Sequence, residues 1–157
     1  MHKRWYFTAC LCLLLVPLSM SRPMQDQAAP PKPQGKTLKV TVSYEGKGKV
    51  DKGHGVYLFL FKSPDFAQNS GEMPIAFQSV FSNGETVTFS GLAAENVYLT
   101  ASYDESGTYS IAAGPPPSGS PVALYKPGDP QPPTAIKLED GKAAEIKFSF
   151  DDSIRMP

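Results

Sequence analysis

After residue 36 the chain alternates apolar and polar positions with a period of two. Leu38, Val40, Val42 and Tyr44 alternate with Thr37, Lys39, Thr41 and Ser43, as in a strand with one face buried and one in water. The same pattern returns in Val97, Leu99, Ala101 and Tyr103 against Tyr98, Thr100 and Ser102, and in Ala144, Ile146, Phe148 and Phe150 against Glu145, Lys147 and Ser149. Val56-Tyr57-Leu58-Phe59-Leu60-Phe61 is apolar at every position. Its short length and aromatic content predict a central strand rather than a buried helix. Further strands are predicted at Ile75 to Phe81, Thr86 to Phe89 and Ala135 to Leu138, with Val122 to Tyr125 as a short edge strand. No long window carries an apolar stripe at helical spacing.

Turn residues separate these runs. Asn83-Gly84 predicts a hairpin turn, because both residues tolerate positive φ, and Asp140-Gly141 predicts a second turn before the last strand. Ser63-Pro64-Asp65 ends the second strand, and residues 114 to 133 are rich in Pro and Gly. Short strands, turn signals and the lack of helical periodicity predict an all-β fold, an antiparallel β-sandwich of seven to eight strands. One domain spanning residues 37 to 150 is expected, followed by a C-terminal tail, 151 to 157.

Thr86-Val87-Thr88-Phe89-Ser90-Gly91-Leu92 followed by Val97-Tyr98-Leu99-Thr100-Ala101 resembles the middle of the carboxypeptidase regulatory-like domains. Ile136-Lys137-Leu138, Gly141 and Ile146-Lys147-Phe148 are similar to that family's closing hairpin. The resemblance implies a transthyretin-like (prealbumin-like) Greek-key sandwich of seven strands, used mostly as a non-catalytic accessory module. The chain departs from the family pattern between Lys62 and Met73, where an insertion is expected, around residues 46 to 55, and in the Pro-rich loop after Ile111.

The amino end changes the picture of where the protein works. Met1-His2-Lys3-Arg4, an apolar run from Trp5 to Leu18, and Ser19-Met20-Ser21 have the form of an export signal, residues 1 to 21. The run is too short to cross about 30 Å of hydrocarbon. Cleavage near Ser21 is expected to leave a secreted or periplasmic protein with no membrane span. Residues 22 to 36, with four prolines, read as a flexible spacer. Cys10, Cys12, the sole Trp5 and His2 all lie in the signal, so the exported domain is expected to fold without disulfides. Lys3 and Arg4 also leave with it. From 15 basic and 15 acidic residues, this gives a net charge near −2. Nucleic acid is therefore not an expected partner.

Candidate chemistry is sparse. His54 stands alone between Gly53 and Gly55, no Gly-x-Ser-x-Gly elbow occurs, and the ring-opening hydrolases of the transthyretin-like group use more than one histidine. Asp104 and Glu105, with Asp151 and Asp152, place paired oxygens at two strand ends, where calcium could gather six to eight ligands. Solvated strand-end charges are the alternative. Pro115, Pro116 and Pro117, between Tyr109 and Tyr125, form a stiff segment flanked by amphipathic anchors. A rigid crossover between sheets would need the same prolines. Polysaccharide stacking would fall to Tyr98, Tyr109 or Tyr125. The expected function is an exported, non-catalytic module that binds an envelope protein or a polymer through Tyr109, the prolines and Tyr125. The alternatives are a small hydrolase and a calcium-dependent carbohydrate-binding domain.

Overall fold

The computed structural model describes residues 35–68, 71–126 and 133–157. The expected export signal, and the spacer up to residue 34, lie outside the described residues. The period-two segments form eight strands: β1 Lys36–Tyr44, β2 Val56–Phe61, β3 Ala76–Val80, β4 Thr86–Leu92, β5 Asn96–Tyr103, β6 Val122–Leu124, β7 Ile136–Lys137 and β8 Ala143–Phe150. They build a three-stranded sheet, in the order β4-β1-β8, and a five-stranded sheet, in the order β3-β2-β5-β6 with β7 also on β5. Two single 3₁₀ turns, Pro64–Gln68 and Ile111–Ala113, are the only helical elements among the described residues. The all-β sandwich expected from the alternation is the fold observed.

The alternating positions account for the core. Leu38, Val40 and Val42 of β1, Leu58 and Leu60 of β2, and Val97, Leu99 and Ala101 of β5 are almost wholly buried and belong to one continuous apolar cluster. Each fully buried Leu or Val contributes about 1.5–3 kcal/mol relative to exposure. At one end Tyr44 of β1 stacks on Tyr103 of β5 with ring centroids 4.1 Å apart, joining the two sheets. The loop after β1 lies close against this pair. A side chain at Gly46 would strike Tyr44 and Asp152, and one at Gly48 would strike Tyr103.

Three expectations about connections are corrected. The Asn83-Gly84 turn, with Gly84 at φ +78°, does not join paired strands. β3 pairs with β2 and β4 pairs with β1, so this turn carries the chain from one sheet to the other. Asn83 has a different use there: its Oδ1 accepts from Tyr44 N–H at 2.7 Å and its Nδ2 donates to Tyr44 C=O at 2.8 Å. The amide imitates a strand partner and extends the β1–β4 ladder.

The last two strands are likewise not a hairpin. β7 pairs with β5 in the five-stranded sheet, whereas β8 pairs with β1, in parallel from Thr37 opposite Ala143 to Tyr44 opposite Phe150. The other strand pairings among the described residues are antiparallel. Crossing between sheets frees β8 from the direction a tight hairpin would impose.

Residues 151 to 157 are part of the domain rather than a tail beyond it. Val122 N–H donates to Ile154 C=O at 2.9 Å, Met156 N–H to Ser120 C=O at 2.9 Å and Gly119 N–H to Met156 C=O at 2.9 Å. The segment leaves β8 in one sheet and pairs with the approach to β6 in the other, tying the two layers together.

Candidate functional site

Strand β2 is apolar on both faces, yet a two-layer sandwich buries only one. Val56, Leu58 and Leu60 face the core, which leaves Tyr57, Phe59 and Phe61 on the outside of the five-stranded sheet. Neighbouring strands continue this outward row: Phe77 is opposite Phe59, Ser79 opposite Tyr57, and Tyr98 opposite Phe61. Local chain segments cover part of it. Phe66, on the Pro64–Gln68 turn, stacks on Phe61 at 4.1 Å and nearly parallel. The segment after Lys62 thus supplies a lid for β2. Tyr109 sets its ring edge-on to Tyr57 at 4.7 Å. Phe77, on the outward row of β3, and Phe81, one residue past its end, remain 53% and 41% exposed. Water is left against two aromatic rings, one on an edge strand and one just beyond its end.

Tyr109 is held there by Asp104. The Asp104 side chain is buried and accepts from the backbone N–H groups of Ser106, Gly107 and Tyr109 at 3.0, 3.0 and 2.8 Å, and from Ser106 Oγ at 2.6 Å. Burial pushes the carboxyl upward, but these donors outweigh it and hold Asp104 below the usual carboxylate range. The Tyr109 hydroxyl then donates to Gly114 C=O at 2.7 Å, fixing the start of the proline segment. An acidic residue read from sequence as a metal ligand acts here as the clasp of a loop.

The other acidic residues are similarly engaged. Arg155 forms a two-pronged pair with Glu105, at 2.9 Å from each oxygen, and lies 3.9 Å from Asp152. Asp152 accepts from the Tyr44 hydroxyl and from Lys47 N–H, and Asp151 accepts from Ser153 N–H at 2.9 Å. The two acidic loops do meet at one end of the sandwich, as expected, but the cation between them is the chain's own guanidinium. Among the described residues no three His, Cys, Asp or Glu side chains converge as a metal set. Nothing in this arrangement favours calcium at Asp104, Glu105, Asp151 and Asp152 over the donors they already hold. Arg155 lay in the segment read as a tail, and the sequence offered no sign of its pairing.

The structure separates the expected binding residues. Tyr109 belongs to the outside of the five-stranded sheet. Tyr125 follows β6 and packs edge-on to Phe148 of β8 at 5.9 Å, across the open side of the sandwich. There it helps line a groove of about 460 Å³ with Leu124, Phe150 and Ile154. Pro115 and Pro117 are exposed and Pro116 is half-buried. The end of their loop is fastened by the C-terminal segment, and Arg155 also donates to Gly119 C=O at 2.6 Å. The loop joins β5 to β6, neighbours within the five-stranded sheet, so the prolines do not serve as the crossover between sheets that was the alternative expectation. Of the tyrosines weighed for sugar stacking, Tyr98 and Tyr109 lie on the outward row and Tyr125 does not.

His54 has a single acidic neighbour, with Nδ1 3.3 Å from Asp51 Oδ1. That carboxylate also accepts from Gly53 N–H and His54 N–H, and these contacts hold Asp51 below the usual range, the Gly53 bond most strongly. The group closes the glycine-rich loop between β1 and β2. Among the described residues no helix is long and apolar enough to cross a membrane. Comparison with protein-family models, curated proteins and solved structures finds no match.

Proposed function

We propose that this chain is an exported, non-catalytic β-sandwich module that binds a protein partner on the outside of its five-stranded sheet. The observation that carries the reading is the exposure of Phe77 and Phe81 beside the covered ring of Phe59. A sandwich exterior is expected to be polar, and contiguous exposed aromatic surface is a mark of an interaction site. Tyr57 and Tyr109, already fixed by ring contact and by the Asp104 clasp, add amphipathic anchors at low entropic cost. Phe77, Phe81 and the exposed Met73 carry no groups for a sugar's hydroxyls, which favours a protein over a polysaccharide. Return of β4 to pair with β1, after β2 and β3 have been laid on the facing sheet, supports the Greek-key path that the carboxypeptidase regulatory-like resemblance implies.

The test places a photo-crosslinking amino acid at Ser79, on the outward row of β3 and between Phe77 and Phe81 in sequence. Crosslinking to one discrete protein in extracts of the exporting cell, lost in a Phe77→Ser, Phe81→Ser background that stays folded, is the expected result. Unchanged crosslinking in that background would show that Phe77 and Phe81 do not carry the contact, and no discrete crosslink from Ser79 would place the site elsewhere. The hydrolase alternative rests on His54 beside Asp51. Hydrolytic turnover abolished by His54→Ala would replace the binding reading with it. Export rests on residues 1 to 21, and mass spectrometry should find the exported chain beginning near Arg22.

A further inference from the structure

β8 is the outer strand of the three-stranded sheet, paired only with β1 among the described residues. Glu45 N–H donates to Phe150 C=O at 2.7 Å, so the even-numbered residues of β8 turn their backbone groups toward β1. The N–H and C=O groups of Ala143, Glu145, Lys147 and Ser149 consequently point away from the sheet, along an open edge. Such an edge is a template for another strand unless something blunts it. The side chains of the same four residues are exposed on the sheet's outer face.

We propose that a second copy of this chain occupies that edge, β8 against β8 in antiparallel register about a two-fold axis at Ile146. Antiparallel pairing can join only the odd-numbered residues of one copy to those of the other. Three such two-fold registers lie close together. An axis at Glu145 sets Glu145 opposite its own symmetry mate, and an axis at Lys147 sets two lysines face to face. An axis at Ile146 alone sets Glu145 of each copy opposite Lys147 of the other, twice over. The inward row agrees: half-buried Ile146 meets Ile146, and small Ala144 meets Phe148. About eight backbone hydrogen bonds would form along residues 143 to 149. Lys39 of the adjacent strand holds one Glu145 oxygen at 2.9 Å, and Lys147 of the second copy takes the other. The self-complementary charge order is what singles out a second copy, since a two-fold interface must match its own pattern.

Sedimentation velocity over a range of concentrations tests this on the purified protein and on Glu145→Lys and Lys147→Glu variants. Both positions are exposed, and circular dichroism verifies that each variant folds. A reversible dimer is expected, weakened roughly tenfold or more by either substitution, because each makes two like-charge pairs. An equimolar mixture of the two variants should dimerise again, since every cross-strand pair is then of opposite charge. Hydrogen exchange should show the Glu145 and Lys147 amides protected only in the dimer. A monomer at all concentrations, a dimer indifferent to both substitutions, or a mixture that stays monomeric would each overturn the proposal. The crosslink at Ser79 is on the other sheet, so failure of either proposal leaves the other readable.

Discussion

The two sheets have the same kind of inner face and opposite kinds of outer face. Leu38, Val40 and Val42 on one side, and Leu58, Leu60 and Leu99 on the other, meet in one apolar core. Outside, the three-stranded sheet presents Lys39, Thr41, Thr86, Thr88, Glu145 and Lys147, whereas the five-stranded sheet presents Tyr57, Phe59, Phe61, Phe77 and Tyr98, with Phe81 just beyond the end of β3. The inner faces answer to a common constraint, removal of apolar area from water. The outer faces are free to differ, and only the aromatic one requires covers, from Phe66 and from the loop that carries Tyr109. On the proposed function, stability and recognition draw on different rows of the same strands.

Substitutions should separate the two roles. The largest effect belongs to the shared core: Phe148→Ala should cost about 3–5 kcal/mol in denaturant unfolding. A Phe148→Ala protein as stable as the parent would mean that the β8 ring does not support the core. Next, Asp104→Ala leaves backbone donors in a buried loop without their acceptor, a loss of about 1–3 kcal/mol. It should also release Tyr109 from Tyr57, visible as a change in the Tyr57 ring resonances.

The pH dependence of the parent carries the same signature. Because the folded-state pKa of Asp104 is depressed, the unfolded chain takes up its proton first as pH falls. The stabilisation is complete above the unfolded carboxylate range, near about 3.9, and is lost as pH drops through the lower folded value. Asp104→Ala should flatten that part of the acid-unfolding profile.

A smaller effect is expected for Arg155→Ala, which frees Glu105 and loosens the C-terminal segment. The pair is half-exposed, so the change should be modest and should shrink as salt is added. Smallest of all for stability is the outer aromatic row. Phe77→Ser with Phe81→Ser should alter the unfolding free energy by about 0.5 kcal/mol or less per site. A large loss would show that these rings serve packing rather than recognition.

Strand positions were legible because alternation reports burial directly, and a one-residue slip would put Leu38, Val40 and Val42 into water. Partner choice was not legible in the same way. Asn83-Gly84 signals a tight turn wherever it occurs, yet a tight turn can pass between sheets as readily as between paired strands. Asp104 and Glu105 stood out as charged residues at a strand end. Whether a carboxylate there meets a metal, a loop's N–H groups or an arginine depends on residues far along the chain, such as Arg155.

By itself, then, the order of residues determined which positions lie inside, since the apolar period of two has only one low-energy way to meet water. The unbroken apolar run from Val56 to Phe61 likewise marks β2 as apolar on its outer face. Tertiary structure alone decided which strands are neighbours, that β8 runs parallel to β1, and that Tyr109 and Tyr125 belong to different sides. Those outcomes turn on contacts between distant segments, where many pairings satisfy the same alternation and only packing of the whole sandwich selects one.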